Sequence, residues 1–124
     1  MTDVKKRGNA GEDLTAQYLR EKGFIITKRN FHSRYGEIDI IAENEQYILF
    51  VEVKTRQAGS FVSAAESVDV HKRRKLVATA EEYLMRSFCT LQPRFDVAEI
   101  TLFGKTERKE YKINYIENAF IPEG

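Results

Sequence analysis

Three charged residues stand where apolar side chains are expected. Asp39 lies in the run GEIDIIA (36–42), and Glu52 and Lys54 lie in YILFVEVKTR (47–56). Isoleucine, valine, phenylalanine and tyrosine dominate both runs, as strands prefer. Charges inside such strands are costly unless they are paired or bound to a metal. The polar turn Glu43-Asn44-Glu45-Gln46 joins the runs, so 36–56 is predicted to be a hairpin. A loop of two or four residues centred on Asn44-Glu45 sets Asp39 opposite Phe50. Asp39 then shares a face with Glu52 as its diagonal neighbour, with Cβ atoms roughly 7–8 Å apart. A loop of three or five residues would put the two acids on opposite faces. Glu52 and Lys54, two residues apart, share one face, while Val51 and Val53 point into the core.

Such a set suits metal-dependent phosphodiester hydrolysis. Asp39 and Glu52, with the backbone carbonyl of Val53, offer oxygen ligands to Mg²⁺ or Mn²⁺. The cation would acidify a bound water and offset charge on the phosphate. Lys54 would orient the attacking water or stabilise transition-state charge. Glu12 is a further acid within reach of a metal-bound water or a second metal, and Lys72 could contact the phosphate.

The positioning elements follow from periodicity. Residues 8–22 repeat as a helix, with Ala10, Leu14 and Tyr18 on one stripe and Glu12 in line with Ala16 and Leu19. Gly23 closes it. Residues 24–31 read as a first strand whose Lys28 and Arg29 lie on an exposed edge. His32, with no second ligand-type residue at metal spacing, reads as a surface histidine within the link 32–35. Residues 57–67 form a loop anchored by Phe61. Asp69 caps a second helix, 70–88, with Leu76, Val77, Ala80, Leu84 and Phe88 as its buried stripe. Its opening run His71-Lys72-Arg73-Arg74-Lys75 is basic where the helix dipole disfavours positive charge, which points to phosphate. Lys72 leans to the core side and the others outward. Pro93 marks a boundary. Residues 94–103 and 109–116 read as strands, the latter with Tyr111, Ile113 and Tyr115 on one face. Asp96 is expected to pair with Arg94 or Arg56 in a structural role.

The order is α-β-β-β-α-β-β. Three strands form an antiparallel meander, and a helical crossover brings the fourth in parallel. The fold class is α/β, a mixed sheet flanked by helices, as one domain over 1–124. Twenty basic against 19 acidic residues give no global basic field, so nucleic-acid binding would rest on local patches. A single cysteine, Cys89, fits a reducing, cytoplasmic setting. No signal peptide and no membrane span are expected.

The set of Gly8-Asn9-Ala10-Gly11-Glu12, Arg29-Asn30-Phe31, Gly36-Glu37-Ile38-Asp39, Phe50-Val51-Glu52-Val53-Lys54-Thr55-Arg56, Lys72 and Arg94-Phe95-Asp96-Val97 resembles the bacterial YraN family. More broadly it resembles the PD-(D/E)XK nuclease superfamily. The resemblance implies a restriction-endonuclease-like α-β-β-β-α-β core similar to archaeal Holliday-junction resolvases. It implies a divalent-metal site at Asp39 and Glu52 with Lys54, and Glu12 as the helical acid. Ile38 replaces the superfamily's proline, as it is also replaced in resolvase-like members. The function expected is a Mg²⁺-dependent endonuclease acting on DNA, branched or structured DNA included, with Lys72, Arg73, Arg56 and Lys28 as phosphate contacts. Symmetric cutting would favour a homodimer. The alternative is a non-catalytic nucleic-acid-binding module, using those residues together with Lys5, Lys6, Arg7, Arg74 and Lys75. A third reading, a partner-binding protein, leaves Asp39, Glu52 and Lys54 as a buried ion-pair network.

Overall fold

The first helix, α1 (Asp3–Glu21), starts earlier than its periodicity suggests and ends where expected. Gly23, at φ +95°, supplies the left-handed turn. Its N–H donates to the Arg20 carbonyl, and Phe24 N–H donates to that of Leu19. This computed structural model describes residues 3–59, 69–104 and 110–122, with side chains from Ala10 onward. The anchor Phe61 and the side chains of Lys5, Lys6 and Arg7 lie outside the described residues.

The remaining elements are β1 (Ile25–Ser33), β2 (Gly36–Glu43), β3 (Tyr47–Gln57), α2 (Val70–Ser87), β4 (Gln92–Phe103) and β5 (Glu110–Ile116). The strands form a five-stranded sheet in sequence order. β1, β2 and β3 are antiparallel neighbours, β4 joins β3 in parallel, and β5 returns antiparallel along β4. The α-β-β-β-α-β-β order and the parallel entry of the fourth strand match the sequence expectation.

Alternation along β3 splits the core in two. Leu49 and Val51 pack with Ala16 and Leu19 of α1. Ile48 and Phe50 pack with Leu76, Ala80 and Tyr83 of α2. The helices therefore cover opposite faces, and the central strands are buried on both. Gly11 lets α1 come close: a Cβ there would meet Thr55 Oγ1 at 2.7 Å, with Val53 and Ile100 behind it at 3.4 Å.

Asp69 caps α2 as expected, accepting from Lys72 N–H at 2.9 Å. The buried stripe is corrected in two places. Thr79 and Tyr83 belong to it, while Phe88 does not and is 89% exposed. Phe88 takes a left-handed conformation, φ 52°, that ends the helix one residue early and swings its ring off the stripe.

Asp96 has the structural role expected of it. Fully buried on β4, it takes a two-pronged bond from Arg94, Nε at 3.0 Å and Nη2 at 2.9 Å. Tyr115 Oη donates to it at 2.6 Å and Asn118 N–H at 2.8 Å. Burial and the Asp96 charge push the Tyr115 phenol far above its ordinary range, so it stays a donor. This carboxylate ties β4, β5 and the chain after β5 together. No helix is long and apolar enough to cross a membrane among the described residues.

Removing one partner of a buried charge pair leaves the other uncompensated. Asp96→Ala is expected to cost about 3–5 kcal/mol, since Arg94 keeps its charge in the same place. Urea unfolding of the two proteins measures this. A loss below about 1 kcal/mol would mean that the network is dispensable.

Candidate functional site

The hairpin that carries the acids has an even loop, but its register differs from the expected one. Glu43 pairs with Ile48 and Ile40 with Val51, which leaves 44–47 as the loop. Ile41, not Asp39, therefore stands opposite Phe50. The reason lies in Asn44, which opens the turn instead of sitting inside it. Its Oδ1 accepts from Gln46 N–H at 2.8 Å and Tyr47 N–H at 2.7 Å, and its own N–H donates to the Tyr47 carbonyl. A slip of two residues keeps every side chain on its face. It brings Asp39 level with Glu52 rather than diagonal to it.

The β2–β3 ladder stops at Ile40 and Val51. Beyond it, Asp39 Oδ2 accepts the Val53 N–H at 2.8 Å. A side-chain carboxylate thus takes over from the backbone where the strands part. Burial, then the charge of Glu52, push the Asp39 carboxyl up to about 7, against the pull of the Val53 N–H. Glu12 and Glu37 add to the upward push.

Glu52 is 6% exposed and faces α2. Its Oε1 lies 2.7 Å from Lys72 Nζ and 3.2 Å from Lys54 Nζ. Lys72 reaches it from the first turn of α2, so the inward lean read from the sequence is observed. Burial alone would lower the Lys72 pKa. Its bonds to Glu52 and Lys54, and the charges of Glu52 and Asp39, outweigh that and raise it. Lys54 goes the other way. Burial and the adjacent Lys72 hold it below the ordinary lysine range, despite Glu52. One lysine is thus a firm cation, and its neighbour is closer to giving up its proton.

Glu12 is buried at α1, on the opposite face, and is held by β1: Asn30 Nδ2 donates to its Oε1 at 3.2 Å, and Arg29 Nη2 lies 3.5 Å away. Among the phosphate candidates, Arg56 bonds to the buried Glu99 of β4. Arg73 is exposed and lies over the Phe120 ring, 5.6 Å to its centroid. Lys28 is exposed on the edge strand. The structure thus brings Asp39, Glu52, Val53, Lys54 and Lys72 together and sets Glu12 behind them.

Among the described residues, no three His, Cys, Asp or Glu side chains converge as a ready cation cage. What the centre offers is two carboxylates and peptide oxygens, the donor type that hard divalent cations take. The charge balance fits as well. Asp39 is raised by burial first and then by the second carboxylate beside it, and a divalent cation relieves that repulsion.

Three residues near the site escape a reading by spacing. Glu99 lies level with Lys54 in the parallel register and engages Arg56. Its place on the face shared with Phe95 and Val97 follows from alternation, but its partner depends on the β3–β4 register. Arg29 reads as an edge residue and Asn30 stands out only through the family resemblance, and only the packing of α1 against β1 shows what they hold.

A family model described as "Uncharacterised protein family UPF0102" matches residues 11–100. A UPF0102 protein of Caldanaerobacter subterraneus subsp. tengcongensis is 45% identical over 123 residues, covering 97% of this chain and 100% of that protein. One of Syntrophomonas wolfei is 44% identical over 119 residues, 94% of this chain and 98% of its own. One of Clostridium botulinum (strain Loch Maree / Type A3) is 39% identical over 118 residues, 94% of each chain.

The Asp39 shift has a sign that unfolding can test. The fold pushes the carboxyl from its ordinary value of 3.8 up to about 7. Between these values the folded protein holds the proton more tightly, so this group's contribution to stability falls as pH rises through that window. Asp39→Asn keeps an acceptor for Val53 N–H without the charge. It is expected to be more stable than the wild type at pH 7 by about 1–3 kcal/mol, with the gap closing toward pH 4. Thermal unfolding of both proteins across that range measures it. An equal gap at all pH values would show that Asp39 carries no such penalty.

Proposed function

This chain belongs to the uncharacterised protein family UPF0102, and we propose that it is a divalent-metal-dependent endonuclease acting on DNA in the cytoplasm. The observation that carries this is the charge arrangement around Asp39 and Glu52. Two carboxylates meet where the strands part, with one strongly held lysine and one weakened lysine against them. A purely structural ion-pair network has no use for a carboxyl raised toward neutrality. A hydrolytic centre does, because perturbed groups gather where chemistry is done.

Asp39, Glu52 and the Val53 carbonyl would hold Mg²⁺ or Mn²⁺, with Glu12 accepting a hydrogen bond from water at the edge of the site. The cation, when bound, supplies Lewis acidity and lowers the pKa of water. Lys54, on the Glu52 face and with a depressed pKa, orients the attacking water and accepts its proton. Lys72 leaves Glu52 for a phosphate oxygen as substrate enters and keeps its charge while doing so. Arg73, Arg74 and Lys75 follow it on the exposed side of α2 and track the backbone beyond the scissile phosphate, with Lys28 and Arg56 as further basic residues. No base-reading element is recognisable, which favours substrates known by shape, branched or otherwise structured DNA. Incision of both strands would require two copies of the chain related by a two-fold axis.

One observation favours the accessory-module reading: Lys54 and Lys72 both pair with Glu52, so protein cations meet its charge. Metal dependence separates the two. In calorimetric titration, Mn²⁺ is expected to bind the wild type and to fail to bind Asp39→Asn and Glu52→Ala. Linear, flapped or four-way DNA is expected to be cut by the wild type alone. Lys54→Arg keeps the charge but loses the group that can give up a proton, so the cleavage rate is expected to drop about a hundredfold or more. No Mn²⁺ uptake at millimolar concentration, with DNA binding unchanged in both acid variants, would replace the nuclease with the accessory module.

A further inference from the structure

One residue in β1 touches the geometry of both Asp39 and Glu12. Asn30 stands mid-strand at φ +53°, a left-handed conformation that asparagine tolerates better than most side chains. Its neighbours pair on either side of Asp39: Arg29 with Ile40, and Phe31 with Ile38. Asn30 therefore lies opposite Asp39.

Side chains two apart in a strand share a face, and here they do not. Arg29 reaches Glu12 and Asp13 of α1, whereas Phe31 packs edge-on against Tyr83 of α2 at 5.2 Å. The same reversal runs through β2, where Ile40 belongs to the α1-side core and Ile38 to the α2-side core. Both strands change face at the Asn30–Asp39 level. That twist leaves Asp39 free of the sheet's regular alternation and lets its carboxylate cross to Val53 N–H. It also turns the Asn30 amide toward Glu12, 3.2 Å from Oε1.

Arg29 does not fix Glu12 equally well. Its short bond, 2.7 Å, goes to Asp13, and it stands 3.5 Å from Glu12. The Asn30 amide is the nearer donor. We infer that Asn30 is a positioning residue that aims Glu12 from the back of the sheet at the centre formed by Asp39 and Glu52. It does so through the same left-handed backbone step that releases Asp39. The inference rests on the nuclease reading and adds a role to a residue that touches neither substrate nor cation.

The backbone and the amide are separable. Asn30→Gly keeps the left-handed conformation at no steric cost and deletes the donor. Asn30→Asp keeps a side chain tolerant of that conformation and sets a second carboxylate against Glu12. The test measures Mn²⁺ affinity by calorimetry and single-turnover cleavage of whichever DNA the wild type cuts. Outer-shell partners of a metal site are worth about 10–100-fold. Asn30 is exposed, so Asn30→Gly is expected at the lower end, about tenfold in both readouts, with Asn30→Asp losing more.

The deciding step repeats Asn30→Gly in a Glu12→Gln background, where the loss should shrink to less than about twofold because both changes disable the same carboxylate. Losses that multiply, or an Asn30→Gly protein with wild-type affinity and rate, would overturn the inference while leaving the nuclease in place. A wild type that takes up no Mn²⁺ sinks the nuclease reading, and this inference falls with it. Thermal unfolding guards against a trivial outcome: Asn30→Gly should melt within a few degrees of the wild type, and a collapse in stability would assign Asn30 to the fold alone.

Discussion

The carboxylate of Asp39 occupies a place where a backbone carbonyl would ordinarily stand. At the end of the β2–β3 ladder it accepts the Val53 N–H, and this bond holds two diverging strands at a fixed separation. A peptide carbonyl would do the same with no charge. By using a carboxylate, the chain places an ionisable group between two central strands, next to Glu52. The rest of the local architecture answers that charge. Lys72 comes in from α2, Lys54 stands on the same face as Glu52, and burial with the Glu52 charge pushes the Asp39 carboxyl up to about 7.

That arrangement is poor as a stabilising device. Carboxylates taken out of water and set side by side repel each other, and well-packed apolar residues would hold the strands more firmly. The Asp96 network shows how this protein builds a buried acid for strength. There one carboxylate meets a two-pronged arginine, a phenol and a peptide N–H, and every oxygen has a donor. Among the described residues, Asp39 takes the Val53 N–H and Glu52 takes two lysines, with two like charges side by side. The contrast between two buried acidic sites in one small sheet is the physical ground for reading one as scaffold and the other as chemistry.

Much of this is legible in the sequence. The alternation of apolar residues gave the strands, Gly23 and Asp69 marked helix ends, and charges in apolar runs singled out Asp39, Glu52 and Lys54. The inward lean of Lys72 followed from its position one turn before Leu76. What failed did so for identifiable reasons. The hairpin register slipped by two because Asn44 starts the turn with its own side chain, a choice that composition leaves open. Phe88 looked like the last rung of an apolar stripe, but a left-handed residue at a helix end leaves the stripe. Partners set by distant register, such as Arg56 with Glu99, depend on which strands pair and how, and no local pattern carries that.

Glu12 and Glu52 come from opposite faces of the sheet, and a flat, regular sheet would keep them apart. Glu12 belongs to the helix on one face, and Glu52 faces the helix on the other. Two features shorten the distance between them. Gly11, without a side chain, lets α1 settle onto Thr55 and Val53, the residues beside Glu52 and Lys54 in β3. The face reversal at Asn30 and Asp39 falls at the gap where the β2–β3 ladder ends, while β1 and β2 stay paired on either side of it. Close helix approach without the reversal would bury Glu12 against a continuous sheet. The reversal without close approach would leave the gap facing solvent. Together they set a residue behind the sheet near a carboxylate between its strands, and Glu12 is among the charges that push Asp39 upward, after burial and Glu52.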